Sequence, residues 1–171
     1  MQFEIDKTVA TLVNLNLRAE LHGEDKKTAA DLKIRVDLTN DSLAMFAPTL
    51  KDALFFFDKG ADHDLIDQAE KHDKNYKPHL RFDMLPSIKW ADETVGAELT
   101  IYRGISDESN IKLELCTIDG FVIEPKMGGT CTITMRVQAH PDEQQVGHLA
   151  MMIGTKIEIS IEVPEYQAEL E

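Results

Sequence analysis

Hydrophobic positions in this chain recur mainly at every second residue, the period of a strand with one face buried and the other wet. From Thr8 to His22 the alternation is continuous. Val9, Thr11, Val13, Leu15, Leu17, Ala19 and Leu21 fall on one face; Ala10, Leu12, Asn14, Asn16, Arg18, Glu20 and His22 fall on the other. A turn at Gly23–Lys26 then leads to a second strand. There Leu32, Ile34, Val36 and Leu38 point one way, with Lys33, Arg35 and Asp37 the other. The pattern predicts a long hairpin.

A second β region follows the middle of the chain. Val95, Ala97, Leu99 and Ile101 mark one face of a strand over Thr94–Gly104, and Ile111, Leu113 and Leu115 mark the next. Ile118-Asp119-Gly120 reads as a tight turn, followed by Phe121, Ile123 and Pro125 on one side. Met127-Gly128-Gly129 turns the chain into a long strand over Thr130–Ala139. Cys131, Ile133, Met135 and Val137 line its apolar face, and Thr130, Thr132, Thr134, Arg136 and Gln138 its polar one. Together these segments predict a meander from Thr94 to Ala139. A last strand carries Ile157, Ile159, Ile161 and Val163 and is closed by Pro164.

Helical spacing is confined to short stretches. Asn40-Asp41-Ser42 offers N-cap oxygens to a turn bearing Leu43, Met45 and Phe46. Pro48, at a first helical position, and Thr49 open a second short helix with Leu50, Ala53 and Leu54. Phe55, Phe56 and Phe57 cannot all face one core, so this triplet is a candidate interface as well as a core plug. Residues 59–78 form a polar insertion, read as a surface helix over Asp62–Lys71 or as a loop. Pro78 to Trp90 returns to extended structure with Leu80, Phe82, Met84, Ile88 and Trp90 as its apolar members. Val146, Leu149, Ala150 and Ile153 keep helical spacing over Asp142–Ile153, with acids in the first turn and Gly154 at the end. The fold class is therefore mainly β (β-rich α+β): long antiparallel hairpins forming a sandwich or a barrel, with two or three short helices. One domain is expected over residues 1–164, followed by a short acidic tail over 165–171.

Composition narrows the picture modestly. At 171 residues and 43% hydrophobic content, the chain can bury a core without metal or disulfide staples. No apolar run approaches the roughly 18 residues that span a bilayer, and the N-terminal stretch lacks a signal-peptide pattern. No membrane partner is expected, and a cytoplasmic location follows, that of the host bacterium if the chain is phage-encoded. Cys116 and Cys131 fall inside strands and read as two reduced core thiols, with a cross-strand disulfide as the alternative. The net charge of −13 is unevenly spread, −4 over residues 1–85 and −9 over residues 86–171. Such acidity disfavours extended non-specific DNA binding unless basic side chains cluster in the fold; plain solubility explains it as well.

Candidate chemistry is sparse. His63, Asp67 and Glu70 would share one face of a helix over Asp62–Lys71, with Asp64, His72, Asp73 and His79 nearby, a spacing compatible with a divalent ion. Lys71, Lys74 and Lys77 can neutralise the same acids, so no cofactor or metal is expected. No nucleophile elbow, Walker loop, dinucleotide fingerprint or zinc-protease motif is present. Arg18, Lys33 and Arg35 lie on one wet strand face, with Lys89, Tyr102, Arg103 and Arg136 as further members of a basic and aromatic surface. Such a surface holds single strands through phosphate charge and base stacking. Carboxylates on another face allow the opposite reading, an imitation of DNA that occupies a DNA-binding protein.

Two stretches, DLTNDSLAMFAPTLKDALFF and MRVQAHPDEQQVGHLAMMIGTKIEISIE, resemble small uncharacterised proteins of tailed phages and prophages encoded among replication and recombination genes. The resemblance covers the middle and C-terminal thirds and carries no catalytic residue. It implies a phage accessory protein acting in DNA metabolism or against host defence. The leading expectation is thus a non-enzymatic binding protein for single-stranded DNA. An acidic inhibitor of a host protein comes second and a metal-dependent hydrolase third. Long hairpins leave strand edges to be covered, so self-association is also expected.

Overall fold

The alternating runs pair as antiparallel strands in a computed structural model that describes residues 1–22, 25–58, 60, 75–104 and 106–164. Nine strands are present among them: β1 (Ile5–His22), β2 (Asp25–Thr39), β3 (Phe55–Phe56), β4 (His79–Leu80), β5 (Ile88–Trp90), β6 (Thr94–Tyr102), β7 (Ile111–Lys126), β8 (Thr130–Ala139) and β9 (Lys156–Glu162). The main sheet runs β5-β7-β6-β9-β1-β2-β8, and a further pairing of β7 with β8 closes six of these strands into a barrel with β5 outside it. The architecture is a barrel, not a sandwich. β7 makes closure possible by carrying β6 and then β5 along one edge while β8 takes the other.

Closure requires strands to coil, and bulges provide the local bend and twist. They also reset which residues face inward. In β1 the ladder shifts between Ile5 and Thr8, where Lys7 has φ of 31°, and again between Leu12 and Asn14. Ile5, Ala10 and Leu12 are consequently buried and Val9 from the expected apolar face is exposed; Leu17 and Leu21 keep the face of Leu15 and are exposed because β9 does not reach this part of β1. In β6 the shift around Gly96 leaves Val95 outside and turns Ala97, Leu99 and Ile101 inward. β7 corrects the sequence reading most. Ile118-Asp119-Gly120 is no turn but the middle of one continuous strand. Irregularities at Leu115 (φ 53°) and Gly120 (φ 61°) divide its inward positions into Ile111 and Leu113, then Cys116 and Ile118, then Phe121 and Ile123. Leu115, expected inside, is 66% exposed. The meander β6–β7–β8 is present, with β7 as one strand. β8 and β9, which have no such shifts against β2 and β6, keep the predicted faces throughout.

The two ends of the barrel are closed differently. At one end a 3-10 turn (Asn40–Met45), helix α1 (Leu50–Leu54) and the N-terminal residues pack over the core. Phe3, Phe46, Phe121 and Trp90 form an aromatic cluster there, with neighbouring ring centroids 5.2–5.9 Å apart. The expected cap is absent at this turn. Asn40 is buried instead, and its Nδ2 donates to the Lys77 carbonyl at 2.9 Å, while Ser42 Oγ donates back to the Thr39 carbonyl. Thr49 is the N-cap residue of α1, so Pro48 precedes the cap. Phe55 is fully buried; Phe56 and Phe57 are half-buried, and Phe56 meets His79 and Arg81. Between β4 and β5 the chain is not extended: Leu85 N donates to the Phe82 carbonyl in a turn ahead of Pro86, and Phe82 and Met84 are exposed.

At the other end helix α2 (Glu143–Met152) lies across the barrel, capped by Asp142 in a reciprocal capping box with Gln145. Of its predicted stripe only Leu149 is fully buried. The expected helix over Asp62–Lys71 and the tail over 165–171 lie outside the described residues, as does Gly23–Glu24 of the β1–β2 turn. No helix among the described residues is long and apolar enough to cross a membrane.

Both cysteines are free and buried, so no disulfide forms. Burial pushes the Cys116 thiol up from 9.0 to about 11 and raises Cys131 in the same direction. A raised thiol stays neutral in the folded chain while the unfolded chain ionises, so stability declines as pH climbs from about 9 towards 11. Urea melts at pH 8 and pH 10 should show that decline, with a shallower pH dependence in Cys116→Ala.

Candidate nucleic-acid interface

Register decides which side chains meet on the outside of the barrel, because directly opposed residues project to the same face. Lys33 of β2 lies between Asn14 of β1 and Arg136 of β8. One row along, Arg35 lies between Thr11 and Thr134, and Thr134 opposes Val122 of β7, itself opposite Lys89 of β5. An open groove of about 490 Å³ runs over this wall, lined by Lys33, Arg35, Arg136, Asn14, Asn16 and Thr134 among others. A second groove of about 740 Å³ shares Gly120 and Val122 with it and carries Lys89 together with Asp92, Glu93 and Asp119. Four of the basic candidates, Lys33, Arg35, Arg136 and Lys89, thus border two contiguous grooves.

Their charges are not equally available. Arg136 is clamped by Asp119, with Nε–Oδ1 at 2.7 Å and Nη2–Oδ2 at 2.5 Å, and Gln138 donates to the same carboxylate. That hydrogen bond raises Arg136 still further above its ordinary range and holds the guanidinium in place. Arg18 lies further along the same wall and pairs with Glu20 at 2.9 Å and Asp31 at 2.8 Å. Lys33 and Arg35 are exposed and have no ion pair among the described residues. They supply the uncompensated positive charge.

Tyr102 and Arg103 are not part of this wall. Around the ring, β6 and β9 sit opposite β2 and β8. Tyr102 on β6 hydrogen-bonds Ser160 of β9 at 3.0 Å, and the Lys7 ammonium lies 5.0 Å from its ring centre. Arg103 borders a separate polar pocket of about 390 Å³ with His148 and Glu108. Among the described residues the grooves therefore contain no tyrosine, and Trp90, which lines the second, packs against Phe46. The opposite wall is acidic: Glu98 opposes Glu162, and Glu158 opposes Tyr102.

Asn14, Asn16 and Thr134 were visible in the sequence only as wet-face residues; register puts them beside Lys33 and Arg35. His63, Asp67 and Glu70 lie outside the described residues, among which no group of three or more His, Cys, Asp or Glu could hold a metal ion. By class the protein is a closed six-stranded antiparallel barrel, with Lys33 and Arg35 bordering a groove on one wall and Glu98 and Glu162 on the wall opposite. Compared with known protein families, with curated proteins and with solved structures, the chain finds no match.

Proposed function

We propose that this chain is a non-enzymatic binding protein of phage DNA metabolism that holds single-stranded DNA by its phosphates across the β2–β8–β7 wall. The observation that carries this reading is the pair of uncompensated cations, Lys33 and Arg35, bordering an open groove beside Arg136 and the amides of Asn14 and Asn16. Amides and cations suit phosphate oxygens. The resemblance to phage proteins supports the setting. Because the tyrosine that would stack bases is on the far wall, contacts are to backbone, and little base preference is expected.

The test is fluorescence anisotropy of labelled single-stranded and duplex DNA over a salt series. With about three phosphates neutralised, log affinity should fall with a slope near −2, which is roughly a 20-fold loss between about 50 and 200 mM salt. Lys33→Glu/Arg35→Glu should weaken binding at least tenfold and flatten that slope. Absence of saturable binding at the low-salt end overturns the reading.

A second reading is favoured by the opposed Glu98 and Glu162 on the far wall: an acidic surface that occupies a DNA-binding host protein. It predicts no strand binding, and salt-sensitive retention on a cationic DNA-binding protein that Glu98→Lys/Glu162→Lys abolishes.

A further inference from the structure

The β1–β2 hairpin outruns the barrel. β9 pairs with β1 only over Ile5–Thr11, and β8 pairs with β2 only from Ala30 onward. Beyond those points Asn14–His22 pair only with β2, and Asp25–Ala29 of β2 pair only with β1, among the described residues. Among the described residues the outer edge of this ribbon makes no backbone hydrogen bond to another element there. Its side chains alternate sharply: Leu17 is 46% and Leu21 74% exposed on one face, while Arg18 and Glu20 occupy the other. An unpaired, apolar edge of this kind is a template for strand addition.

We infer that this edge is a homodimer interface in which β1 pairs antiparallel with β1 of a second copy about a two-fold axis at Ala19. The segment is self-complementary in that register. Leu17 falls opposite the second copy's Leu21, and Arg18 falls opposite its Glu20. Four leucines then gather on one face around the axis, and two crossed ion pairs lie on the other. A two-fold contact requires this reciprocity, since each residue must meet the partner of its own partner. Shifting the axis by one residue would oppose Arg18 to Arg18 or Glu20 to Glu20, and like charges directly opposite are destabilising, so the pattern favours one register. The axis stands perpendicular to the extended sheet, so the Lys33 and Arg35 walls of both copies lie on the same side. The dimer does not depend on the nucleic-acid reading.

Sedimentation velocity of the full chain tests it. The wild type should run at twice its 19.3 kDa mass at tens of micromolar. Leu17→Lys/Leu21→Lys should be monomeric, with a thermal midpoint close to wild type because both leucines are exposed in one copy. Arg18→Glu should weaken dimerisation at least tenfold by placing two acids opposite each other, and adding Glu20→Arg should restore it. A wild type that stays monomeric, or a dimer untouched by the leucine changes, overturns the interface. Loss in Arg18→Glu without rescue by Glu20→Arg overturns the register.

Discussion

Replacing Phe121 with alanine should cost about 3–5 kcal/mol, the range for truncating a large aromatic in a packed core. At this chain length that lowers the thermal midpoint by roughly 6–20 °C. Phe121 is 1% exposed and touches the aromatic cluster on two sides, Phe3 at 5.2 Å and Phe46 at 5.3 Å between ring centres. It also opposes Trp90 across the β5–β7 ladder. Four rings from the N-terminus, the 3-10 turn, the outside strand and β7 thus meet at one end of the barrel. A cavity there cannot collapse easily, because the surrounding rings are rigid and each belongs to a different element. Differential scanning calorimetry of Phe121→Ala beside Phe121→Leu measures the effect; the leucine should recover part of the loss by keeping apolar volume. An alanine variant within a degree or two of wild type would show that this end of the barrel is loosely packed.

Phe121 also shows where the sequence was legible and where it was not. Its inward direction follows from alternation with Ile123 alone, but its place in one strand with Ile111 does not. The residues Asp119-Gly120 look like a turn because glycine and aspartate are common there. In the barrel Gly120 instead adopts φ of 61° inside β7, where it shifts the ladder and lets the strand bend toward β8. Local pattern cannot separate those outcomes, since both need positive φ. The same limit explains Val9, Val95 and Leu115. Each fits an apolar face by period 2, and each is turned outward by a neighbouring bulge. β8 and β9 were legible in full because nothing interrupts their phase against β2 and β6.

The candidate site divides along the same line. Lys33 and Arg35 were identifiable from one strand's alternation, and Arg136 from another's. Their meeting depends on a ten-pair register between β2 and β8 that no local signal states. Tyr102 shared their chemistry but not their wall, because position around a closed barrel is set by strand order. Charge pattern along a chain therefore named residues of β2 and β8 that share a wall, and grouped with them a β6 residue that lies on another.

Truncating Leu149 to alanine should cost about 2–4 kcal/mol, whereas Ile153→Ala should be close to neutral. The sequence gives Val146, Leu149, Ala150 and Ile153 equal standing in one helical stripe. In the structure Leu149 alone is fully buried; Ala150 is exposed, and Ile153, 41% exposed, follows the helix. The helix lying across this barrel end inserts Leu149 fully and Met152 in part. α2 is held besides by Met152, partly buried against the core, and by polar contacts: its capping box, and Gln145 Nε2 donating to the Lys112 carbonyl at 3.0 Å. Polar contacts of that kind contribute about 1 kcal/mol each in water-exposed settings, so they cannot replace the buried leucine. Loss of Leu149 should therefore loosen α2 before the barrel itself melts. Hydrogen exchange can separate the two events: amides of residues 146–152 should lose protection in Leu149→Ala while those of β8 and β9 keep theirs. Uniform loss across helix and strands would instead mean that α2 and the barrel unfold as one cooperative unit.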